Sequence, residues 1–357
     1  MFYRQAGISY SSYPQTRALF SLAADRRAVA ILFVIALVAP LLFGPGTVSA
    51  VLTPWLIWTS AVLGLNLILG WAGQFHFGYA AIMGIGAYAA IHGTRHGLPW
   101  EMAMIAGGLC ATVIGCVFAF AALRVKGLYL ALSTLALQFA MDWVLSHVPA
   151  ITGGTQVTLQ APPPAVLGQV LGGETSLYYI ALAWCLLVTV FMLNLKRTPL
   201  GRALVAVREK DYAAAVIGVN SFRYKLVAFA TSSFIGGVSG AVIVFAYYGA
   251  ATPEQFAINV SIELLAMVII GGLGSIIGSY MGAAFVLLVP GEMNQLIAWL
   301  AEMAGARLSV ETLAHIPHVI YGALIIGFLL VEPLGLGRMY QNVRNYLMVW
   351  PYGHLHK

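Results

Sequence analysis

The sequence predicts an all-α fold, a polytopic transmembrane helix bundle of about ten membrane segments with both termini cytoplasmic. Three observations predict it. Hydrophobic residues fill 61% of the 357 positions and charged residues only 8%, against roughly 25% charged in soluble domains; so few charges cannot cover a surface that faces water. Apolar runs recur along the whole chain, which argues for one membrane domain rather than a soluble domain with an anchor. The basic residues flank these runs instead of forming one patch, so the net charge of +6 reads as membrane orientation and not as nucleic-acid binding.

Residues 1–27 are polar and aromatic and form a cytoplasmic N-terminal segment. No clear small-residue cleavage site follows the first apolar run, so that helix is expected to stay as an anchor. A crossing needs about 20 apolar residues. Ten candidates meet or approach this: 28–44, 50–70, 77–93, 101–123, 127–147, 177–195, 226–248, 259–271, 273–290 and 316–332. Pro40 interrupts the first, and 259–271 is short for a regular crossing. The stretch 259–290 is therefore expected as two crossings or as one broken pair, whose irregular backbone would need protein or a wet cavity around it.

Charge placement tests the count. With the N-terminus inside and alternating crossings, Arg4, Arg17, Arg26, Arg27, Arg124 and Lys126 lie in the cytoplasm. The basic residues of loop 196–225, then Arg338, Arg344 and Lys357, lie there too. That places 16 of the 18 Lys and Arg residues inside and leaves Arg95 and Arg307 outside, the bias expected of a correct count. The long loops 148–176 and 291–315 fall outside. The domain layout is 1–27, a membrane domain 28–335 containing the inner loop 196–225, and a cytoplasmic tail 336–357.

The inner loop reads KRTPLGRALVAVREKDYAAAVIGVNSFRYK. Thr198-Pro199 suits a helix start, residues 202–217 are mostly good helix formers, and Gly218 suits a stop. Leu204, Val207 and Ala214 offer a small apolar face beside Arg208, Glu209, Lys210 and Asp211. Such a helix either rests on lipid headgroups or lies in a groove of another protein.

A family resemblance bears on that choice. Ala213-Ala214 and Gly218 have the spacing of the Glu-Ala-Ala, three residues, Gly coupling motif of ABC importer permeases, with Tyr212 in the usual Glu position and Asp211 before it. Gly70-Trp71-Ala72-Gly73-Gln74 with Gly84-Ile85-Gly86-Ala87-Tyr88 is similar to the branched-chain amino acid branch. So are Lys126-Gly127-Leu128-Tyr129, Thr152-Gly153-Gly154 and Ser261-Ile262-Glu263-Leu264-Leu265 leading to Gly271-Gly272-Leu273-Gly274-Ser275. Across residues 50–335 the chain resembles the M-type half of such a transporter.

The resemblance implies a permease subunit in a bacterial inner membrane that forms half of a path for branched-chain amino acids or related small solutes. It implies ATPase coupling through Arg208, Glu209, Asp211, Tyr212, Ala213, Ala214 and Gly218. The implied partners are a homologous H-type permease subunit, two ATP-binding subunits, an extracytoplasmic solute-binding protein and membrane lipid. The departures are Tyr212, the run Phe75-His76-Phe77-Gly78-Tyr79 after Gln74, and Thr155-Gln156 after the Thr-Gly-Gly block.

Candidates for the path are Gln74, His76, Thr134, Glu263 and Gly274. Glu263 is the most informative, because a carboxylate inside an apolar segment is costly and usually faces the bundle interior; it would line the path or brace the 259–290 pair. His76 is read as lying at the inner mouth of the path or as a packing residue. Gly274, Gly278 and Gly282 repeat every four residues, for helix packing or for a gate. No cofactor, metal site or catalytic group is expected. No Gly-Lys pair supplies a phosphate loop, His315 and His318 lack a third ligand, and Cys110, Cys116 and Cys185 read as packing residues. An ion-coupled secondary transporter is the alternative; it needs a midplane ionisable site, for which Glu263 is the one serious candidate.

Overall fold

The computed structural model describes residues 23–123, 128–153, 158–166, 169–303, 322–323, 326–327, 330 and 334–349. The predicted span 316–332 and segment 1–27 lie largely outside them, as do Arg124, Lys126, Arg307, His315, His318 and Lys357. Twelve helices carry the description: α1 Ala23–Leu42, α2 Pro45–Trp71, α3 Tyr79–Arg95, α4 Trp100–Ala122, α5 Leu128–His147, α6 Glu174–Leu195, α7 Pro199–Glu209, α8 Asp211–Val216, α9 Ser221–Tyr248, α10 Ile258–Gly271, α11 Ile276–Met303 and α12 Leu336–Val349. Six described helical segments are long and apolar enough to cross a membrane: α2, α4, Tyr129–His147 within α5, α6, α9, and Pro253–Gly271, which contains α10. Helices α1, α3 and α11 fall on three more of the predicted spans. Two-residue strands also occur, Leu159–Gln160 pairing with Ala250–Ala251 and Ala165–Val166 with Gln169–Val170, a small departure from the all-α expectation.

Helices α2 and α9 form the centre. Their apolar windows are 72% and 78% buried, against 33% for α4, α5 and α6, which turn residues such as Leu109, Val113 and Leu187 outward. An apolar exterior of this kind is what a lipid-facing surface requires. The centre is held by close backbone approach and by hydroxyl pairs. A Cβ on Gly86 of α3 would lie 2.2 Å from the Gly237 carbonyl of α9, so only glycine allows that crossing. Ser60 of α2 and Ser239 of α9 bond at 2.9 Å, and Trp184 Nε1 of α6 donates to Ser239 Oγ at 2.9 Å.

The stretch expected as two crossings or a broken pair is a pair of helices, α10 and α11, joined by the turn 272–275. At 14 residues α10 rises only about 21 Å and is extended on its N-terminal side by the helical turn Pro253–Phe256. A Cβ on Gly282 would lie 2.0 Å from the Met267 carbonyl, and one on Gly278 2.1 Å from the Gly271 carbonyl. These two glycines therefore serve packing. Gly274 does not share their helix face as expected: it precedes α11, in the turn, with φ +80°. Helix α11 also runs on to Met303, into what was expected as the loop 291–315.

The loops sort into two groups. At one end, Arg95 Nη2 donates to the Gln160 carbonyl at 3.3 Å, His92 Nε2 lies 2.6 Å from the Ile151 carbonyl, and Ala161 N–H donates to Gly249 O at 3.0 Å. At the other end meet the turn 72–78, the loop 196–220, the turn 272–275 and residues 334–337.

Candidate functional site

The loop 196–220 is built by local rules. Thr198 caps α7 by accepting from Gly201 N–H at 3.3 Å, and Pro199 fills the first position, where its missing N–H costs nothing. Gly218 takes φ +88°, and the bonds Gly218 N–H to Ala215 O (3.0 Å) and Val219 N–H to Ala214 O (3.0 Å) close α8 as a Schellman cap. Asn220 then caps α9 through Arg223 N–H.

The single helix expected over 202–217 is instead two. Lys210, at φ −151° and ψ 94°, is extended and turns the chain between α7 and α8. Asp211 pairs with Lys225 at 3.1 Å and pins α8 against the start of α9. The break reverses part of the expected surface. Leu204, Val207 and Ala214 are buried in the bundle rather than presented outward. The exposed apolar tip is formed by Tyr212, Val216 and Ile217, which are 84%, 71% and 75% exposed, with Glu209, Ala213, Ala215 and Gly218 exposed beside them.

Arg208 is exposed at this surface and also reaches back to the bundle. Its Nη1 donates to the carbonyl of Gly70, on the π-helical turn Leu67–Trp71 that ends α2. Behind Arg208 a cleft of about 770 Å³ opens, lined among others by Gln74, Leu123, Tyr212, Asn220 and Lys225.

Of the path candidates, Gln74 lines this cleft and donates to the Ala72 carbonyl at 3.0 Å. His76 is buried between the rings of Tyr79 and Phe229, and its Nδ1 accepts from Gly78 N–H at 3.2 Å. Thr134 Oγ1 accepts from Phe77 N–H at 3.0 Å. Gly274 N–H donates to Asn66 Oδ1 at 2.8 Å. Glu263 is exposed on α10, beside Ile262. The site candidates thus divide: Gln74, His76 and Gly274 lie on the turns at the end that carries the coupling residues, Thr134 is bonded to Phe77 of the 72–78 turn, and Glu263 lies apart on α10.

Residues the sequence reading passed over carry much of the internal geometry. Residues 72–78 are not helical, and α3 begins inside the bundle. Its first donors are met from neighbouring helices, Ala80 N–H by Ser261 Oγ (2.9 Å) and Ala81 N–H by Gln138 Oε1 (3.0 Å). Gln138 sits about 15 Å along the α5 axis from Leu128, near half of a hydrocarbon core about 30 Å thick. It is fully buried and uses both amide donors and both acceptor sites, on Asp142 Oδ1, Phe256 O, Ala81 N–H and the Ser261 hydroxyl. Asn66 does the same for the 272–275 turn, donating to Ser275 O and Ser279 Oγ while accepting from Gly274. The available signal was a lone amide in each apolar run.

Comparison with known proteins adds an independent line. The family model described as branched-chain amino acid transport system / permease component matches residues 47–331. The high-affinity branched-chain amino acid transport system permease protein LivM of Escherichia coli K12 is 32% identical over 287 residues, covering 73% of this chain and 67% of that protein. The protein of the same name from Salmonella typhimurium is 32% identical over 269 residues, covering 68% and 63%. The ribose import permease protein RbsC of Haemophilus influenzae is 24% identical over 179 residues, covering 48% and 54%. No solved structure matches the chain.

Proposed function

Because the chain belongs to the branched-chain amino acid transport system permease family, we propose that this multi-pass inner-membrane protein is one transmembrane half of an ATP-driven importer. It carries no ATPase site of its own in this reading. Its partners are a homologous permease half, two ATP-binding subunits and an extracytoplasmic binding protein that delivers cargo. The cargo is a branched-chain amino acid or a related small organic solute; the support is the family and the names of relatives of which the chain spans about two thirds.

The observation that carries the proposal is the tip of α8. Tyr212, Val216 and Ile217 stand exposed at the end of the bundle where the loops are most basic. Large apolar side chains clustered on an aqueous loop mark a protein contact, and the small Ala213 and Ala215 let a partner backbone come close. An ATP-binding subunit seated there can push on the bundle through the Asp211–Lys225 pair and the buried side of α7. Glu263 is assigned to the path shared with the second permease half, since a carboxylate on the outward face of a membrane helix is costly against lipid. His76, Thr134 and Gly274 hold the bundle rather than the cargo.

The test is a single cysteine at position 217, with Cys110, Cys116 and Cys185 replaced, in the assembled complex. It should cross-link to an ATP-binding subunit there, and in the permease freed of that subunit it should react with an impermeant thiol reagent only from the cytoplasmic side. Reaction from the outer side would overturn the proposal.

A further inference from the structure

Two turns converge on Arg208, and neither belongs to the exposed tip. Its Nη1 donates to Gly70 O. A Cβ on Gly73 would come 3.0 Å from Arg208 Cγ, and one on Gly274 would come 3.5 Å from Nη1. The side chain therefore reaches from the end of α7 to the turn after α2 and the turn joining α10 to α11. Those turns are tied firmly to each other: Trp71 Nε1 donates to Gly274 O at 3.1 Å, and Asn66 bonds Gly274 N–H, Ser275 O and Ser279 Oγ. Helix α12 closes the same node, for a Cβ on Gly337 would lie 2.4 Å from Ser275 Oγ and one on Gly335 2.5 Å from Gly272 Cα.

Mechanical consequences follow from the chemistry. A guanidinium on a backbone carbonyl is a charge-assisted bond, and its planar fork fixes direction as a lysine ammonium does not. Positive φ at Gly73, Gly272 and Gly274 gives both turns backbone conformations that other residues rarely adopt. The exposed tip and the node are thus joined through the Arg208 side chain.

We propose that Arg208 is a positioning residue that transmits displacement of α7 and α8 to the 70–74 and 272–275 turns, rather than a contact with the ATP-binding subunits. This rests on the importer reading above and names the route by which force leaves the docking surface.

The test uses the complete complex in proteoliposomes, with Arg208→Ala and Arg208→Lys beside the unaltered protein. Co-purification of the ATP-binding subunits, ATP hydrolysis and cargo taken up per ATP are measured together. Both variants should keep the ATP-binding subunits. Arg208→Ala should lower uptake per ATP, and Arg208→Lys should recover part of the loss. Loss of the ATP-binding subunits, or unchanged uptake per ATP, overturns the proposal while leaving the importer reading standing. Absence of ATP-driven uptake in the unaltered complex overturns both. If Arg208→Ala fails to fold, spin labels at Tyr212 and Leu273 of the otherwise unaltered protein decide: their separation should hold across nucleotide states, and independent movement of the two labels refutes the strut.

Discussion

Replacing Ile217 with Asp separates docking from folding most cleanly. Ile217 is 75% exposed, so the isolated chain gives up little when it changes, and a surface substitution of this kind usually stays within about 0.5 kcal/mol. On the proposed docking, the same side chain is covered in the assembled complex. Full burial of an isoleucine is worth about 1.5–3 kcal/mol, and three quarters of that is about 1–2 kcal/mol. The carboxylate that replaces it must also lose water without a partner, which adds at least about 1–3 kcal/mol. The sum is roughly 2–5 kcal/mol, or about 30-fold to several thousandfold weaker binding of the ATP-binding subunit. Titration of that subunit onto the permease in nanodiscs reads the affinity, and a thermal melt in the same buffer reads the fold. Affinity within about threefold of the unaltered protein, at an unchanged melting point, would refute the placement of the docking surface on α8.

Ala214→Leu should act by the opposite route: the residue is buried, so overpacking of about 1–3 kcal/mol should lower the melting temperature before it touches affinity. Gln138→Leu strands the Ala81 N–H and the Phe256 carbonyl, two buried groups at about 1–3 kcal/mol each, and should lower thermal stability in detergent far more than Leu137→Met. Gly282→Val drives its side chain into the Met267 carbonyl and should prevent accumulation of folded protein, read by size-exclusion profile. Lys225→Ala removes a partly exposed ion pair with Asp211 and should cost no more than about 1 kcal/mol, less as salt is raised.

How much of this was readable in the residues follows from what each feature depends on. Apolar runs mark membrane helices because the bilayer demands them, so all nine predicted spans from 28–44 to 273–290 carry helices. The caps at Thr198, Gly218 and Asn220 were legible because they are set by neighbours in sequence. The break at Lys210 was not, since residues 202–217 are good helix formers and only tertiary pinning by Asp211 and Lys225 turns the chain. Arg208 carries the same charge whether it faces a partner or a carbonyl 138 positions away, and composition does not distinguish the two. The exposure of Glu263 on α10 was not legible, because the rule that a membrane carboxylate faces the bundle interior does not separate the inside of one chain from a face covered by a second subunit. The start of α3 inside the bundle depends on donors from α5 and α10 that no local pattern announces.

The claim that ATP, acting through a separate subunit on α8, drives this bundle is tested by uptake into vesicles holding the whole complex. Cargo should accumulate when ATP is supplied, should stop when ATP is depleted under an imposed ion gradient, and should stop equally with Ile217→Asp at full ATP. Uptake sustained by the ion gradient alone would contradict the account.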